Sequence, residues 1–347
     1  DGRSACDLAV RRTRNGDGRR RLGSDVLRPL TALLAVGVLA MLAPAAHAQG
    51  MVLRVGHFPN VTHVQALVAH HLSRQGKGWF EARLGPGTKI EWYVYNAGPS
   101  AMEAIFAGSI DLTYVGPSPA LNGYAKARGA DIRIIAGAVN GGAALLVQSG
   151  SPFKAAADFK GRKIATPQLG NTQDVAARAW LAAGGLKITQ TGGEAQVLPT
   201  ANPDQLSLFK QKQLDAVWTV EPWVSRLEME AGAKVLVEES DAITTVLATS
   251  AKFLAGRRDV ARAFAKAHRE LTQWIKANPD EARRMVREEL GAITRSTVAA
   301  ELVDRAWGRI ILVDEVSRPS LDTFMTRAQA AGFMRGAPDL ARLVEQP

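Results

Sequence analysis

The chain of 347 residues is 46% hydrophobic and 22% charged, with a formal net charge of +10, a composition typical of a soluble globular protein of one or two domains. Its basic residues are spread out and form no stripe interleaved with aromatic residues, which disfavours a nucleic-acid-binding protein. The single cysteine, Cys6, lies in a segment that we expect to be removed, which excludes a disulfide, a cysteine-ligated metal site and a thiol nucleophile in the mature protein.

The N-terminal segment, residues 1–48, is predicted to contain a cleaved secretory signal peptide. Residues 30–42 form an apolar run too short to span a bilayer comfortably, with a membrane anchor as the alternative. The A-x-A pattern at residues 46–48 predicts cleavage after Ala48. We therefore expect the mature protein in the periplasm.

The start of this segment is arginine-rich and suits no signal sequence of usual length. We expect residues 1–27 to be an over-extended start, with Val26 as an alternative initiator, while a twin-arginine signal at Arg20-Arg21 is the other interpretation. Without residues 1–48, the chain has 35 basic and 29 acidic residues, a net charge of +6. Such a mild excess assists anion capture but does little to identify a partner.

The mature chain begins with alternating strand and helix patterns. Apolar residues at helical spacing predict helices, and short alternating or β-branched runs predict strands. The predicted strands are residues 52–56, 90–95, 112–115 and 132–139, and the predicted helices are residues 64–74, 101–107 and 120–127. This order is typical of a doubly wound sheet.

A second α/β block follows, and the chain then returns to the first. The block has predicted strands at residues 144–147, 163–165, 195–198, 216–219 and 234–237 and predicted helices at residues 173–183, 203–210 and 223–230. After a short strand at 245–249 we predict helices only, at 258–277, 279–289, 298–307 and 320–331. The fold class is therefore α/β, with one lobe at 51–141 and 246–347, a second lobe at 142–245, and a ligand cleft between them.

Two predicted helix starts lie close together within residues 95–124, each after a glycine. Pro99-Ser100 opens one helix and Pro117-Ser118-Pro119 opens the next. A helix start carries unpaired N–H groups and about half a positive charge. Two such starts predict a pocket that holds an oxyanion without a metal ion or a lysine.

Four loops at the predicted carboxyl ends of strands place short polar residues at helix starts, at residues 56–63, 95–100, 116–119 and 168–173. In a single loop, a Ser, Thr or Asn side chain is better explained as a helix cap. Four such loops along one edge of the predicted cleft favour ligand binding instead.

The histidines and one tryptophan segment leave alternatives open. His57 and His63 share no face of a regular helix, and His70-His71 diverge on a helix, so packing or surface roles are favoured over metal ligation for all four. His57 alone keeps a role as a donor to a ligand. Trp218 packs in a core or lines the site, and Glu221 complements a helix start, contacts a ligand cation or ties the lobes together.

Catalytic signatures are missing from the sequence. It contains no G-x-S-x-G elbow, no H-E-x-x-H pair and no P-loop lysine motif. We therefore expect a protein that is not an enzyme and that has no catalytic residue, metal site or cofactor.

Four segments of the mature chain together resemble the periplasmic substrate-binding proteins of ABC importers for nitrate, taurine and aliphatic sulfonates. They are GHFPNVTHVQALVA (56–69), YNAGPSAMEAIFAGSIDLTYVGPSPALNGY (95–124), GRKIATPQLGNTQDVAARAWL (161–181) and PDQLSLFKQKQLDAVWTVEPWVSRL (203–227). The resemblance implies a type II periplasmic-binding-protein fold, with two doubly wound lobes joined by two crossover segments and closing around a small anion. It also implies a cognate permease as partner, and we expect a monomer.

Carried over position by position, the resemblance implies ligand-binding residues from both lobes. They are His57, Phe58, Asn60, Asn96, Ser100, Gly116, Ser118, Gly170, Asn171, Thr172, Trp218 and Glu221. The charged pocket residues of nitrate and bicarbonate specialists have no counterpart that we locate here. The apolar neighbours Phe58, Trp218 and Trp223 favour an organic tail, hence an aliphatic sulfonate. The alternatives are taurine, nitrate, and a thiamine-pyrimidine precursor binding protein or enzyme on the same fold.

Overall fold

Two β-sheets organise residues 50–347, the part of the chain that the computed structural model describes. The first sheet contains β1 (Val52–His57), β2 (Lys89–Val94), β3 (Leu112–Val115), β4 (Arg133–Gly141), β10 (Ile243–Thr249) and β11 (Ile310–Leu312), in the spatial order β11-β4-β10-β3-β1-β2. The second contains β5 (Ala143–Val147), β6 (Lys163–Thr166), β7 (Gln196–Pro199), β8 (Ala216–Val220) and β9 (Lys234–Glu239), in the order β7-β6-β8-β5-β9. The predicted export signal lies outside the described residues.

Helices cover both sheets. They are α1 (Val64–Arg74), α2 (Trp79–Leu84), α3 (Gly98–Phe106), α4 (Pro117–Lys126), α5 (Thr172–Ala183), α6 (Asn202–Lys210), α7 (Trp223–Ala231), α8 (Ala251–Ala277), α9 (Pro279–Thr294), α10 (Ala300–Trp307) and α11 (Arg318–Ala330). Short 3₁₀ helices lie at Val61–His63 and Ala156–Phe159. We call the first sheet with α1–α4 and α8–α11 lobe 1, and the second sheet with α5–α7 lobe 2.

Each lobe has its own apolar core, as the sequence periodicity requires. In α9 the buried apolar residues Ala282, Met285, Val286 and Leu290 repeat at helical spacing, so one face of the helix packs on the core and the other faces solvent. The central strand β3 is buried along its whole length because sheet neighbours flank it and helices cover its faces. Apolar side chains therefore hold each sheet to its helices, and one cluster of lobe 1 also includes Val175 of α5 in lobe 2.

The predicted α/β fold class is confirmed, and both sheets are mixed, each with parallel and antiparallel strand pairs. Strand β10 runs antiparallel to β3 and β4, and β5 runs antiparallel to β8 and β9. The reason lies in the connectivity, because β5 and β10 follow the two passages of the chain between the lobes and enter their sheets from the opposite end. The sequence pattern shows helix and strand order but not the direction of such a returning strand.

Besides the two 3₁₀ helices, one strand and one α-helix lie where the sequence predicts none. The prediction that only helices follow residue 249 is wrong, because β11 pairs antiparallel with β4 at the edge of the first sheet. Helix α2 was not predicted either. Both are short, three and six residues, and short elements carry too few positions to show a period.

The chain passes between the sheets at Gly142 and again at residues 240–242. The predicted boundary between residues 245 and 246 falls inside β10, which belongs wholly to the first sheet. Otherwise the division into domains stays a prediction. Among the described residues, no helix combines the length and apolar character needed to cross a membrane.

Candidate functional site

A cavity of about 360 Å³ lies between lobe 1 and lobe 2. It is lined by loop and helix-start residues of both lobes: Phe58, Asn60, Thr62, His63, Asn96, Ala97, Gly98, Gly116, Pro119, Pro167, Asn171, Thr172, Gln173, Asn202, Val220 and Thr244. This figure includes solvent space at the open mouth, so the enclosed volume is smaller than about 360 Å³. The ligand that fits it must therefore be small.

Helix starts from both lobes meet at this cavity. Lobe 1 contributes the starts of α3 and α4, which carry proline in the first turn and follow Ala97 and Gly116. Lobe 2 contributes the starts of α5 and α6. Because the first N–H groups of a helix lack partners within the helix, the four starts give the cavity a positive local potential.

Two asparagine side chains at the cavity have their oxygen atoms engaged by obligate donors. Asn60 Oδ1 accepts from the indole Nε1 of Trp223 at 3.1 Å, and Asn171 Oδ1 accepts from the backbone N–H of Asp174 at 2.8 Å. An indole or backbone N–H only donates, so in each case the engaged atom must be the oxygen. The Asn60 amide N–H₂ group is thereby left for the cavity.

His63 is a neutral imidazole in the cavity wall. Its Nδ1 accepts from the backbone N–H of Phe58 at 3.4 Å, and its ring packs at 4.3 Å from the Phe58 ring. Burial, with a smaller contribution from His57, lowers the pKa of His63 well below 6.5. Among the described residues that line the cavity, His63 is the one titratable group, and none is Lys, Arg, Asp or Glu.

The two lobes touch around the rim of the cavity. Gln168 of lobe 2 donates to Ser100 Oγ at 2.9 Å, and Asn96 Nδ2 donates to the carbonyl oxygen of Pro167 at 3.3 Å. The backbone N–H of Ser118 meets Thr172 Oγ1 at 3.4 Å. These contacts place the helix starts of lobe 1 against those of lobe 2, the arrangement needed to hold one small molecule from both sides.

Asp174 and Arg178 hold the lobe 2 loop in shape. Asp174 accepts from Thr166 Oγ1 at 2.8 Å, from the backbone N–H of Gly170 at 2.9 Å and from Arg178 Nε at 3.0 Å. Both charged side chains are almost fully buried. A buried carboxylate with this number of donors is a rigid support, so it fixes Asn171 and Thr172 at the cavity.

Half of the predicted site residues lie at the cavity. Those that line it are Phe58, Asn60, Asn96, Gly116, Asn171 and Thr172, and those that do not are His57, Ser100, Ser118, Gly170, Trp218 and Glu221. Ser100 instead bonds Gln168 across the rim. Ser118 is completely buried and its hydroxyl has no partner among the described residues, while Gly170 sits beside Phe333 with φ of +78°.

His57 supports the backbone behind the cavity and is not placed as a ligand donor. Its Nδ1 is 3.2 Å from the carbonyl oxygen of Phe58 and its Nε2 is 3.1 Å from His70 Nδ1. Complete burial, with a smaller effect of His70, lowers the pKa of His57 to about 3. A carbonyl oxygen only accepts, so Nδ1 carries the proton and fixes the position of Phe58.

Trp218 and Glu221 belong to other parts of lobe 2. Trp218 packs edge-on against Trp180 at 6.0 Å in the lobe core. Glu221 is buried, accepts from Ser225 Oγ at 2.9 Å and pairs with Arg309 of lobe 1 at 3.0 Å. Burial raises the pKa of the Glu221 carboxyl. This placement corresponds to the alternative in which Glu221 ties the lobes together.

Several cavity residues were not predicted as site residues. They include His63, which was assigned to packing, and Thr62, Gln173, Asn202 and Thr244. Asn202-Pro203 repeats the pattern of a polar residue and proline at a helix start, a signal that was available in the sequence. Thr244 reaches the cavity from the start of β10, just after the second passage between the lobes, and carries no such signal. Within residues 50–347, no group of three or more His, Cys, Asp or Glu side chains is placed to hold a metal ion.

Comparison with known proteins identifies relatives of this chain. A proposed aliphatic sulfonates-binding protein of Escherichia coli (strain K12) is 30% identical over 263 residues, which cover 75% of this chain and 74% of the relative. One of Bacillus subtilis (strain 168) is 30% identical over 269 residues, 75% of this chain and 76% of that relative.

Solved structures share the fold. The alkanesulfonate-binding protein SsuA from Xanthomonas axonopodis pv. citri, bound to MOPS, aligns with a TM-score of 0.70 at 23% identity, covering 86% of this chain and 100% of that chain. The architecture is the generic periplasmic binding protein fold. The NMT1-like family matches residues 47–289, about two thirds of the sequence, and the chain therefore belongs to the NMT1-like family.

Proposed function

We propose that the protein is the extracytoplasmic solute-binding component of an ABC importer, and that it captures a small aliphatic sulfonate between its lobes without transforming it. The observation that carries the proposal is the cavity where four helix starts and neutral N–H donors converge without a charged side chain among the described lining residues. The names of the two 30%-identical relatives and of the aligned SsuA structure support the choice of a sulfonate.

The charge of the ligand follows from the balance of donors and acceptors. Preorganised N–H groups and helix starts stabilise a buried anion through charge-assisted hydrogen bonds. An ammonium group, as in taurine, needs a carboxylate or several free acceptors when it is buried. No described lining residue carries a carboxylate. We therefore favour a sulfonate without an amino group over taurine.

The same reasoning separates sulfonates from phosphonates and from nitrate. A phosphonate retains a proton near neutral pH, and that O–H needs an acceptor in the site. Nitrate has no apolar part, whereas Phe58, Pro119, Pro167 and Val220 provide apolar wall. The wall is smaller than the sequence indicates, because Trp218 packs elsewhere. A short alkyl chain suits a cavity of about 360 Å³.

Binding and transport are linked through closure of the lobes. An anion that touches helix starts of both lobes is held more tightly in the closed state than in the open state, so it shifts the population toward closure. The closed form then presents a surface that a permease distinguishes from the open form. We propose a monomer in the periplasm with a cognate permease as its partner.

A matched set of ligands tests the proposal. Ethanesulfonate, taurine, ethylphosphonate, nitrate and a thiamine-pyrimidine precursor are compared by thermal shift and then by calorimetry on the purified protein. A ligand at a hundred times its Kd stabilises the folded state by about 2.7 kcal/mol. We expect this shift for ethanesulfonate and a much smaller one for the other four. Stabilisation by the pyrimidine alone, or its chemical conversion, contradicts the proposal.

A further inference from the structure

Within the described residues, one ring nitrogen of His63 has a hydrogen-bond partner and the other has none. Nδ1 accepts from the backbone N–H of Phe58 at 3.4 Å, and the hydrogen bonds among the described residues include none to Nε2. The side chain is almost fully buried and lines the cavity between the lobes. What remains of its hydrogen-bonding capacity is therefore available to a ligand.

The protonated nitrogen follows from the partner of Nδ1. A backbone N–H only donates, so the nitrogen that it meets must be without a proton. In a neutral imidazole the proton then sits on the other nitrogen, Nε2. The opposite tautomer would place two N–H groups against each other and leave the buried Phe58 N–H without an acceptor.

Phe58 is held in this position from both sides. His57 Nδ1 lies 3.2 Å from its carbonyl oxygen, and His63 Nδ1 receives its N–H. The His63 ring also packs against the Phe58 ring, with the centroids 4.3 Å apart and the planes tilted by 37°. Because the backbone and the ring of Phe58 both contact His63, the imidazole cannot turn over without breaking the contact to the backbone N–H.

We infer that His63 is a specificity-determining residue, whose Nε2–H group donates a hydrogen bond to one oxygen of the bound oxyanion. The inference rests on the proposed function and assigns one donor within it. A neutral N–H group can donate a hydrogen bond but cannot accept one, so the ligand atom that meets it must be an acceptor. It therefore requires an unprotonated oxygen at this point, so a protonated phosphonate must turn its hydroxyl toward the rest of the wall, where no described lining residue carries a carboxylate to accept that proton.

Two substitutions and one control test the assignment. His63→Phe removes the N–H group but keeps a planar ring against Phe58, and His63→Gln restores an amide N–H donor with an oxygen that accepts from Phe58. His71→Gln changes a histidine of α1 that pairs with Glu288 and does not line the cavity. Calorimetry with ethanesulfonate gives the Kd of each variant.

The Kd values of the variants are expected to depend on whether residue 63 carries an N–H donor. Loss of one hydrogen bond to a charged acceptor weakens binding by about 10- to 100-fold, so we expect this loss for His63→Phe, a smaller loss for His63→Gln and none for His71→Gln. Ethylphosphonate is expected to gain on ethanesulfonate in His63→Phe. Equal Kd values for the wild type and His63→Phe overturn the inference while leaving sulfonate binding intact.

A measurement on the wild-type protein keeps the inference testable if His63→Phe does not fold. Nitrogen-15 NMR of the histidine rings distinguishes a protonated Nε2 from a protonated Nδ1. We expect the Nε2–H tautomer for His63 and a downfield shift of that proton when ethanesulfonate is added. A protonated Nδ1 at His63 overturns the inference. If ethanesulfonate does not bind the wild type, the proposed function itself fails.

Discussion

Asn60 of lobe 1 and Trp223 of lobe 2 are joined by a hydrogen bond of 3.1 Å from the indole nitrogen to the amide oxygen. Both side chains are buried and Asn60 lines the cavity. The bond forms between lobes, so any opening that separates Asn60 from Trp223 breaks it. It couples closure to the orientation of a donor group in the site.

Replacing Trp223 by Phe is expected to weaken ligand binding more than it weakens the fold. The phenyl ring keeps most of the packing, whereas the bond to Asn60 across the lobes is lost. A neutral hydrogen bond contributes about 1 kcal/mol, which corresponds to about a fivefold rise in Kd for ethanesulfonate. Calorimetry gives the Kd and urea unfolding gives the stability.

The matched control for this prediction is Trp79→Phe. Trp79 Nε1 donates to the carbonyl oxygen of Ala267 at 2.9 Å, and both residues belong to lobe 1. Loss of this hydrogen bond in Trp79→Phe is expected to lower the free energy of unfolding by about 1 kcal/mol and to leave the Kd for ethanesulfonate unchanged. If the two variants change the Kd equally, the bond between Asn60 and Trp223 does not contribute to closure.

Gly116 leaves room for the opposite lobe, and Gly116→Ala is expected to obstruct closure. A Cβ atom at Gly116 would lie 2.3 Å from Thr172 Oγ1 across the cleft. Its φ of −67° and ψ of 153° are ordinary for any residue, so the backbone itself is not strained. We expect at least about a tenfold rise in Kd with little change in the stability of the unliganded protein. Gly150→Ala, with nothing within 4 Å, is the control, and equal affinity in both variants contradicts the prediction.

The elements that the sequence predicts well are those with a strong local signal. Helices α1, α5 and α8 have enough residues to display helical spacing, and the starts of α3 and α4 are marked by Gly-Pro pairs. The antiparallel direction of β10 depends on how the chain returns from lobe 2. That direction is a property of the tertiary structure, so local pattern does not contain it.

The residues of the candidate site also fall into those with a local sequence signal and those whose position depends on the tertiary structure. Gly116 and Asn171 lie at helix starts and were found from their positions in the sequence. His57 was kept as a donor to a ligand, yet it is the last residue of β1 and does not line the cavity, whereas His63 ends a 3₁₀ turn and lines it. Which side chain reaches the cavity depends on rotation about that turn, and residue spacing does not reveal it.

Arg178→Met is expected to destabilise the protein strongly. Arg178 and Asp174 are almost fully buried, and the substitution leaves an unpaired carboxylate in the interior. Removing one partner of a buried pair costs about 3–5 kcal/mol. Urea unfolding measures this loss, and the double variant Asp174→Asn/Arg178→Met is expected to recover part of it because the buried charge is gone. A loss below about 1 kcal/mol in the single variant would show that water reaches the carboxylate.

Buried histidines predict a loss of stability as the pH falls below 6.5. Burial lowers the pKa of His57 to about 3 and those of His70 and His268 to about 4. Between these values and about 6.5, the unfolded chain binds more protons than the folded one, so the free energy of unfolding decreases as the pH decreases. The buried carboxyls of Glu221 and Glu289 act in the opposite direction because burial raises their pKa.

The contribution of His268 to this pH dependence is separable by substitution. Its Nδ1 meets Tyr114 Oη at 2.9 Å and its Nε2 donates to the carbonyl oxygen of Gly137 at 2.7 Å. Burial lowers the pKa of His268 to about 4 despite the bond to Gly137, so the ring is neutral in the folded state at pH 5 and above. His268→Gln is expected to reduce the slope of unfolding free energy against pH by about 1.1 kcal/mol per unit between pH 5 and 6. Thr272→Val, which removes a hydroxyl bonded to the His268 carbonyl, lowers stability without a titrating group and should leave the slope unchanged. Parallel curves for His268→Gln and the wild type would mean that His268 takes up a proton in the folded state near pH 6, against the burial that lowers its pKa.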